Sequence, residues 1–412
     1  MKPTMAAVTV MLTALGWGMS SDEHVPKDTH FTTASITPFA IEGLTGDGTG
    51  NLYTTGRAPQ PGRCPVWRIN ASGTTPPSSN APVQIGSIPN SAPGCNPSGI
   101  ARDDDGNFYI ADANQGGVIW ELTRADMNPA APFAIGVPGT NGIAFDRDGN
   151  LWTGDGTSGL GRVWKIGRAG NVTEMFRVQP MRNAAALGGA IAGDGVGRQA
   201  RTFPPGTATI IVPPSSLPTT VTPAGGQDLV ANGVAFNRHG DLFVADTARG
   251  AIWKVTFDHE GNVSSPTGCD TTFTADTLCL DNIFVAHPLL EGTDGIALDR
   301  AQNIWNAANE RNAIVVVTKD GQVAEVFRNP SNATGLRNSA DPSFGDNHIL
   351  EFPTSPFLSG TTLCVANSDG NRRDNSPNTA GEINAAGPVG ARGKISCMDE
   401  PLRIPGLRLP VR

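Results

Sequence analysis

The most constraining feature of the chain is a hairpin motif, clearest in the segment NGIAFDRDGNLW at residues 141–152. It predicts a strand over residues 143–145, a tight turn over 146–150 and a second strand from residue 151. Asp-Gly between two apolar runs favours a hairpin, because the turn requires a positive φ that glycine adopts at little cost. Related copies begin at Glu42, Ser98, Asn232 and Asp294. Five copies of one hairpin motif in the sequence predict a repeat fold.

Each copy continues into further strands, so the repeating unit contains about four strands, which is the pattern of a propeller blade. The third strand typically carries a Trp followed by Lys or Glu, as in GRVWKIG from Gly161. A degenerate C-terminal unit over residues 348–399 brings the count to six. The 50 Gly and 33 Pro among 412 residues suit many short strands joined by tight turns. We therefore predict an all-β protein, a six-bladed β-propeller.

The long interval between Asn141 and Asn232 leaves a seventh blade open as the alternative. We favour one blade with an insertion near residues 179–228, because that segment lacks the hairpin motif. The expected organisation is a signal peptide over residues 1–20, an extended lead-in over 21–36 and one propeller domain over 37–412. The signal peptide is predicted from Lys2 followed by an apolar run too short to span a bilayer.

Charge and cysteine usage limit the possible partners and compartments. The net charge of −8 and the lack of a Lys/Arg cluster argue against nucleic acid as a partner. No later segment is apolar enough to span a membrane, so we expect a secreted or periplasmic protein. Six cysteines fit an oxidising compartment. Proximity in sequence favours the pairs Cys64–Cys95, Cys269–Cys279 and Cys364–Cys397, although fifteen connectivities are possible.

A polar residue precedes the first glycine of every hairpin copy. In a propeller the first strand of each blade lines the central channel, so these residues should form a ring at one mouth. The predicted ring consists of Glu42, Ser98, Asn141, Asn232 and Asp294. Carboxylate and carboxamide oxygens suit a hard divalent cation such as Ca²⁺, and the lack of Cys and His disfavours zinc or copper. The competing interpretation is that each polar side chain only caps local backbone.

Several other polar residues are predicted to have structural roles. Asp112 and Asp246 end second strands and should satisfy blade-edge backbone. The loop residues His287 and His348 could act as acids or bases, but we expect no chemical role for either. The turn acids imitate part of an EF-hand loop, yet DRDGN at residues 146–150 lacks the distal Glu and is better explained as a hairpin turn.

Over roughly residues 40–330, these motifs resemble the gluconolactonase/senescence-marker-protein (regucalcin-like) family of six-bladed propellers. The resemblance rests on the repeated NG-[IV]-A-F-[DN]-x-x-G-[DN]-L pattern and on DGIALD. In that family one Ca²⁺ or similar divalent ion lies in the channel, bound by a Glu, two Asn and an Asp from successive blades. The residues that match in type and order are Glu42, Asn141, Asn232 and Asp294.

The resemblance implies hydrolysis of a lactone or related ester, with the cation polarising the carbonyl. Asp294 is then the candidate catalytic base, while Ser98 and Asn309 are candidates for supporting positions beside the ligands. A small-molecule substrate and a monomeric protein are expected. Two other functions stay open: a non-catalytic propeller of the NHL type that binds a protein or glycan, and a lyase of the streptogramin type. The lack of histidines in the repeat motifs counts against the lyase.

Overall fold

A computed structural model describes most of the chain. The described residues are 25–26, 29–58, 62–70, 81–90, 94–114, 116–156, 158, 160–179, 231–247, 249–268, 271, 273–290, 292–328, 349–368 and 393–410. The predicted signal peptide, nearly all of the predicted insertion near 179–228, and His348 lie outside these residues. No helix among them is long and apolar enough to cross a membrane.

The described residues form six sheets, antiparallel except for one short parallel strand, which are the blades of a six-bladed propeller. The first strand of the described residues is β1 (Phe31–Ile36). Blade 1 contains β2 (Thr45–Gly46), β3 (Asn51–Thr55), β4 (Gly62–Asn70) and β5 (Val83–Asn90). Blade 2 contains β6 (Pro97–Arg102), β7 (Phe108–Asp112), β8 (Val118–Leu122) and β9 (Ala134–Ile135). Blade 3 contains β10 (Thr140–Phe145), β11 (Leu151–Asp155), β12 (Arg162–Ile166) and β13 (Val172–Val178).

The second half of the ring repeats the same order with two irregularities: one short strand joins blade 3, and blade 6 takes its fourth strand from the N-terminal segment. Blade 4 contains β14 (Ala231–Phe236), β15 (Leu242–Asp246) and β16 (Ala251–Val255). Next come β17 (Thr277–Leu278), which extends blade 3 parallel to β13, and β18 (Ile283–Ala286), which completes blade 4. Blade 5 contains β19 (Thr293–Leu298), β20 (Ile304–Ala308), β21 (Ala313–Val317) and β22 (Val323–Arg328). Blade 6 contains β23 (Pro353–Ser359), β24 (Thr362–Asn367) and β25 (Lys394–Met398). Short 3₁₀ helices occupy Leu280–Asn282, Pro288–Leu290 and Asn309–Arg311.

The N-terminal strand closes the ring. Strand β1 pairs antiparallel with β25 and so forms the outer strand of blade 6. These residues belong to the predicted lead-in over 21–36, and they are extended as expected but lie within the propeller. Six blades confirm the preferred count over the alternative of seven. Joining the two ends of the chain in one sheet leaves no open edge between the first and last blades.

The hydrophobic core is divided among the blade interfaces. Apolar side chains of the described residues form six clusters, one between each pair of neighbouring blades. The middle strands are therefore buried on both faces, as in AIVVV of β21, where all five residues are buried. The interface between blades 3 and 4 places Trp253 with Trp152, and their neighbours fill both sheet faces. Stability thus comes from packing sheets face to face around the axis.

The predicted hairpin turns lie at one end of the channel, and their backbone geometry confirms the prediction. Gly149 has φ 77°, and Gln302, which replaces this glycine in blade 5, has φ 72°. The C-terminal segment crosses the same end, where the Leu407 N–H donates to the Leu298 carbonyl oxygen (2.8 Å). Leu407 and Leu409 line an apolar cavity of about 100 Å³ together with side chains of the innermost strands. This end of the channel is therefore capped by apolar side chains.

Two of the three predicted disulfides are present. Cys64 of β4 is bonded to Cys95, and Cys364 of β24 is bonded to its register partner Cys397 of β25. Cys279 is also disulfide-bonded. Its predicted partner Cys269 lies outside the described residues, so that pair stays a prediction. The two observed disulfides are typical of proteins from an oxidising environment.

Candidate functional site

The predicted ring residues occupy equivalent positions at the channel end opposite to the hairpin turns. Ser98, Asn141, Asn232 and Asp294 are each the second residue of an innermost strand. Glu42 occupies the corresponding place in blade 1, since its neighbour Ile41 pairs with Gly56. The innermost strands of neighbouring blades contact one another around the axis. The repeated hairpin therefore places one polar residue per blade at the same height along the channel.

The glycine after each ring residue permits this close approach. A Cβ atom added at any of these glycines would come too close to the backbone of the next blade. The nearest distances would be 2.3 Å at Gly43, 2.3 Å at Gly99, 2.7 Å at Gly142, 2.5 Å at Gly233 and 2.4 Å at Gly295. Glycine is used where another backbone comes this near. The glycines thus hold the five ring residues in a narrow circle.

Thr354 is the sixth member of the ring, and sequence analysis missed it. Its carbonyl oxygen is the atom that a Cβ at Gly295 would meet, and it is the second residue of β23. The Thr354 hydroxyl donates to the Glu42 carbonyl oxygen (2.7 Å), which links blade 6 back to blade 1. The following residue is Ser355 in place of glycine, so the sequence motif is lost. The count of six units was the one signal that a sixth ring position had to exist.

A second layer of residues stands beside the ring. The residue after each second strand lies next to the ring residue of its own blade. By strand register these residues are Arg57, Ala113, Gly156, Thr247, Asn309 and Ser368. Four of the six contact the ring side chain of their own blade directly: Arg57, Gly156, Thr247 and Asn309. The site is therefore built in pairs, with both members taken from one hairpin.

The two ring carboxylates have different partners in this layer. The Asn309 amide Nδ2 donates to Asp294 Oδ2 (2.9 Å), and both side chains are buried. Glu42 is ion-paired through Oε2 with the guanidinium of Arg57. Asn309 thus contacts the carboxylate of Asp294, and a supporting role for it beside a bound ligand stays a prediction. Arg57 was not predicted, because its position follows the hairpin motif and carries a different residue type in each blade.

Asn232 has a buried oxygen without a hydrogen-bond partner. Its Nδ2 donates to the Thr247 hydroxyl (3.2 Å), which in turn donates to the Thr293 carbonyl oxygen (2.6 Å). Its Oδ1, and likewise Asn309 Oδ1, has no hydrogen-bond partner among the described residues. Asn232 is only 6% exposed, so water does not readily compensate. Leaving such an atom unpaired costs about 1–3 kcal/mol, which suggests an oxygen kept for a ligand.

The other two ring side chains, Ser98 and Asn141, have different surroundings. The Ser98 hydroxyl donates to the Thr140 carbonyl oxygen of the next blade (3.0 Å), so it bonds backbone of the neighbouring blade. Asn141 lies against Gly156, where an added Cβ would approach its Nδ2 to 2.3 Å. Glycine at this position therefore leaves room for the Asn141 amide.

Buried aspartates at the ends of the second strands satisfy backbone and indole donors, as predicted. Asp112 accepts the backbone N–H groups of Asn96 (2.8 Å) and Asn114 (3.1 Å). Burial raises the pKa of Asp112, while these bonds and the Trp120 indole act in the opposite direction. Asp246 similarly accepts the Arg249 backbone N–H and the Trp253 indole N–H. These carboxylates stabilise the blades.

His287 is part of a local turn. Its Nδ1 accepts the backbone N–H of Leu289 (3.1 Å) at the 3₁₀ helix Pro288–Leu290. Burial, with a further contribution from the charge of Arg311, lowers the pKa of His287, so the neutral imidazole is favoured. This hydrogen bond agrees with the structural role expected for this histidine.

The donor set of the ring fits a hard divalent cation. It combines carboxylates at Glu42 and Asp294 with amides at Asn141 and Asn232, and the buried Asn232 Oδ1 has no hydrogen-bond partner in the described part of the chain. Oxygen donors of these two kinds are the usual ligands of Ca²⁺. Within the described ranges, no three His, Cys, Asp or Glu side chains gather in a group that could hold a metal. Any cation at the ring would therefore depend on the amide oxygens as well as on the two acids.

A family model matches the part of the chain that contains the fourth and fifth blades. Residues 204–336 match the model of the SMP-30/Gluconolactonase/LRE-like region. This match confirms the resemblance indicated by the hairpin motifs, over the segment that contains Asn232 and Asp294. No curated protein sequence matches the chain.

Three solved structures of low identity are similar to this chain to different degrees. The PQQ-bound aldose sugar dehydrogenase from Streptomyces coelicolor is 14% identical, with 90% of this chain and 98% of that chain covered and a TM-score of 0.50. A luciferin-regenerating enzyme is 13% identical, with 92% and 97% covered and a TM-score of 0.49. Regucalcin from Agrobacterium tumefaciens, described as a calcium-binding protein, is 15% identical, with 91% and 95% covered and a TM-score of 0.46. The first of these likenesses shows the propeller fold.

Proposed function

From a propeller that carries an SMP-30/gluconolactonase/LRE-like region, we propose an exported, metal-dependent hydrolase that opens a lactone or cleaves a related ester. The observation that carries the proposal is the buried Asn232 Oδ1, which has no hydrogen-bond partner among the described residues and lies in the same ring as Asp294. A stable fold gains nothing from such an atom. Such an oxygen can bind a ligand that accepts an electron pair, and a divalent cation is the simplest ligand of this kind.

In this proposal the cation is held by residues of four blades: Glu42, Asn141, Asn232 and Asp294. When bound, it supplies a Lewis acid that polarises the carbonyl of the substrate. The two amides add oxygen donors without adding negative charge, so two carboxylates suffice to balance a divalent ion. Ca²⁺ is the preferred candidate because every donor is a hard oxygen.

Asp294 acts as the general base. Its carboxylate takes a proton from the attacking water, whose oxygen bonds to the carbonyl carbon, and the ester oxygen leaves with a proton as an alcohol. For a lactone the product is a single hydroxy acid. The Asn309 amide, 2.9 Å from Asp294 Oδ2, orients the carboxylate and keeps it in its acceptor form. Asn309 is a positioning residue in this scheme.

Export is the second part of the proposal. It is supported by the N-terminal sequence from Lys2 to Trp17 and by the disulfides Cys64–Cys95 and Cys364–Cys397. Expression with and without residues 1–20, followed by fractionation, tests it. Retention of the full-length protein in the cytoplasm would contradict it.

The test of the hydrolase is a panel of lactones and esters assayed with the purified protein before and after chelation. We expect Ca²⁺ to be required, and Asp294→Asn to lower turnover by about 10³-fold or more, because the amide cannot accept the proton. Calorimetric titration with Ca²⁺ provides a reading that does not depend on finding the substrate.

The matched control is Asp299→Asn, which changes a buried aspartate at the other end of the same strand. Asp299 accepts backbone N–H groups of its own turn, so this variant should keep turnover at a lower stability. If neither Ca²⁺ nor another divalent cation binds and no lactone or ester is cleaved, the proposed hydrolase function is wrong. The NHL-type binding propeller then becomes the better explanation.

A further inference from the structure

Arg57 differs from every other residue of the layer beside the ring. Blades 2 to 6 place Ala113, Gly156, Thr247, Asn309 and Ser368 at the equivalent position, all of them small or neutral. Where such a residue bonds its ring partner, as Thr247 and Asn309 do, it does so through a neutral group. Blade 1 instead brings a full positive charge against one of the two ring carboxylates. A cation-binding ring would not need this charge.

Three contacts of Arg57 help to fix its position. Its backbone N–H donates to the Ala40 carbonyl oxygen (2.8 Å), and its Nε donates to the Pro97 carbonyl oxygen of blade 2 (3.4 Å). The third of these contacts is the ion pair with Glu42 Oε2. The Arg57 side chain is 30% exposed and that of Glu42 is 12% exposed. The guanidinium thus lies at the rim of the channel, between the buried ring and solvent.

This ion pair conflicts with a cation at the same carboxylate. A divalent ion bound to Glu42 would stand within a few ångströms of the guanidinium, and two positive centres at that range repel each other strongly. Arg57 must then leave Glu42 Oε2. Its backbone and Nε contacts keep it near the rim, so the freed end of the fork turns towards the channel mouth. A guanidinium in that position matches the planar, bidentate geometry of a carboxylate.

The charges of the loaded site point to the same ligand. Two ring carboxylates and one divalent cation cancel, which leaves the single positive charge of Arg57. A monoanionic group restores neutrality, whereas a phosphate dianion would exceed it. Resting on the hydrolase function proposed above, we propose that Arg57 is the counter-ion of Glu42 in the cation-free protein and binds a substrate carboxylate in the loaded protein. The preferred substrates are then lactones or esters that carry a free carboxylate.

The first experiment measures Ca²⁺ binding by calorimetry in the absence of any substrate. Because Arg57 competes with the cation for Glu42, Arg57→Met should bind Ca²⁺ about threefold to tenfold more tightly than the wild type. Arg57→Lys, which keeps the charge, should stay near the wild-type affinity and serves as the folded reference. The control Arg68→Met removes an exposed arginine of the same blade and should change nothing. Unchanged or weaker binding in Arg57→Met would overturn the competition.

The second experiment compares two substrates that differ only in charge: a lactone with a free carboxylate and its neutral methyl ester. The wild type should show a lower KM for the carboxylate substrate than for its methyl ester. In Arg57→Met the ratio of the two KM values should move towards one, a change of about tenfold or more. Hydrolysis of both compounds with an unchanged ratio would refute the role of Arg57 while leaving the hydrolase intact. If no lactone is cleaved at all, the hydrolase function fails instead. Binding of the corresponding hydroxy acid to Ca²⁺-loaded wild type and Arg57→Met then tests the carboxylate site directly, and equal affinities would refute it.

Discussion

The two ends of the propeller channel treat their polar side chains in opposite ways. At the turn end, the first turn residues of blades 2, 3 and 5 accept the backbone N–H four residues later, at 2.8 Å for Asp103 and Asp146 and 3.0 Å for Asp299. Their partners belong to the same hairpin, so these bonds need no contact between blades. At the ring end, Thr354 bonds across to Glu42, and Asn232 Oδ1 has no hydrogen-bond partner in the described part of the chain.

This difference separates structural residues from candidate functional residues. The turn acids form the most conspicuous motif in the sequence, but their bonding capacity is used locally and serves the hairpin. The ring residues occupy one position per blade. Among the described residues the Asn232 oxygen has no hydrogen-bond partner, and the Glu42 carboxylate is ion-paired with Arg57 at the rim. A polar group that the fold does not use is the better indicator of a site.

The largest expected effect contrasts two buried asparagines, one from each end. Asn232→Leu should weaken Ca²⁺ binding at least about tenfold, as loss of even an outer partner of a metal does. The cation-free variant should unfold no more easily, because Thr247 keeps its bond to the Thr293 carbonyl oxygen. Calorimetry and thermal unfolding measure the two quantities.

The matched variant Asn303→Leu should behave in the opposite way. Asn303 donates to Asp299 Oδ2 (2.8 Å) and accepts the Lys319 N–H (3.3 Å), so its loss should lower the free energy of unfolding by about 1–3 kcal/mol. Ca²⁺ affinity should stay the same. Equal losses of affinity in the two variants would break the distinction between the ends.

A pair of glycines gives the next largest effect. Gly233→Ala would place a Cβ 2.5 Å from the Asp294 carbonyl oxygen and 2.7 Å from the Gly295 Cα. Neighbouring backbone must shift, so we expect a loss of about 1–3 kcal/mol in the free energy of unfolding, together with weaker turnover.

The control is the turn glycine Gly321, which has φ 82° and open space around it. Gly321→Asn should cost little, because asparagine tolerates the left-handed region. Chemical denaturation of both variants gives the comparison. A larger loss of unfolding free energy in Gly321→Asn than in Gly233→Ala would mean that backbone conformation matters more than the close approach of neighbouring blades.

Thr354→Val tests the closure of the ring. It removes the hydrogen bond to the Glu42 carbonyl oxygen and should cost about 1 kcal/mol in the free energy of unfolding. Thr33→Val is the control in the same blade, since the Thr33 hydroxyl is buried without a hydrogen-bond partner among the described residues. That variant should be neutral or more stable. Equal destabilisation would show that the bond across the closure contributes nothing specific.

The smallest effect is a pH dependence at the turn end. Burial tends to raise the pKa of Asp47, but hydrogen bonds from Thr49, Asn51 and Tyr53 outweigh it and lower the pKa from 3.8 to about 2. The folded pKa lies below the unfolded one, so the ionised group stabilises the fold above pH 3.8. That contribution is lost as the pH falls towards about 2.

Unfolding midpoints of wild type and Asp47→Asn between neutral pH and about pH 2.5 measure this contribution. The variant should lose less stability than the wild type over the acidic part of the range. Asp320→Asn, at an exposed acid of blade 5, is the reference for a general charge effect. Parallel curves for wild type and Asp47→Asn would contradict the prediction.

Much of the architecture was predictable because it is local. Hairpin turns such as residues 146–150 depend on φ preferences and on bonds within a few residues, and the sequence records both directly. The blade count followed from repeating that unit, and the equivalent placement of Glu42, Asn141, Asn232 and Asp294 followed from the repeat. Two of the three disulfide pairs followed from proximity along the chain.

The residues that sequence analysis missed depend on contacts between blades or between strands. Thr354 lacks the motif and is recognised only because Gly295 and Glu42 contact it from neighbouring blades. Arg57 follows no pattern, since the six equivalent positions hold six different residue types. Strand β1 has no repeat motif either, and its place in blade 6 comes from pairing with β25 at the other end of the chain.

The sequence by itself determined the repeating hairpin, the blade and the polar residue that each blade contributes to the channel, because these depend on the backbone within one unit. Tertiary structure alone decided which of those polar atoms form hydrogen bonds or ion pairs within the fold. Ser98 donates its hydroxyl to the next blade, Asn232 keeps an oxygen with no hydrogen-bond partner among the described residues, and Glu42 is paired with Arg57. Bonding capacity at the ring is shared between blades, so it is settled only when the ring closes.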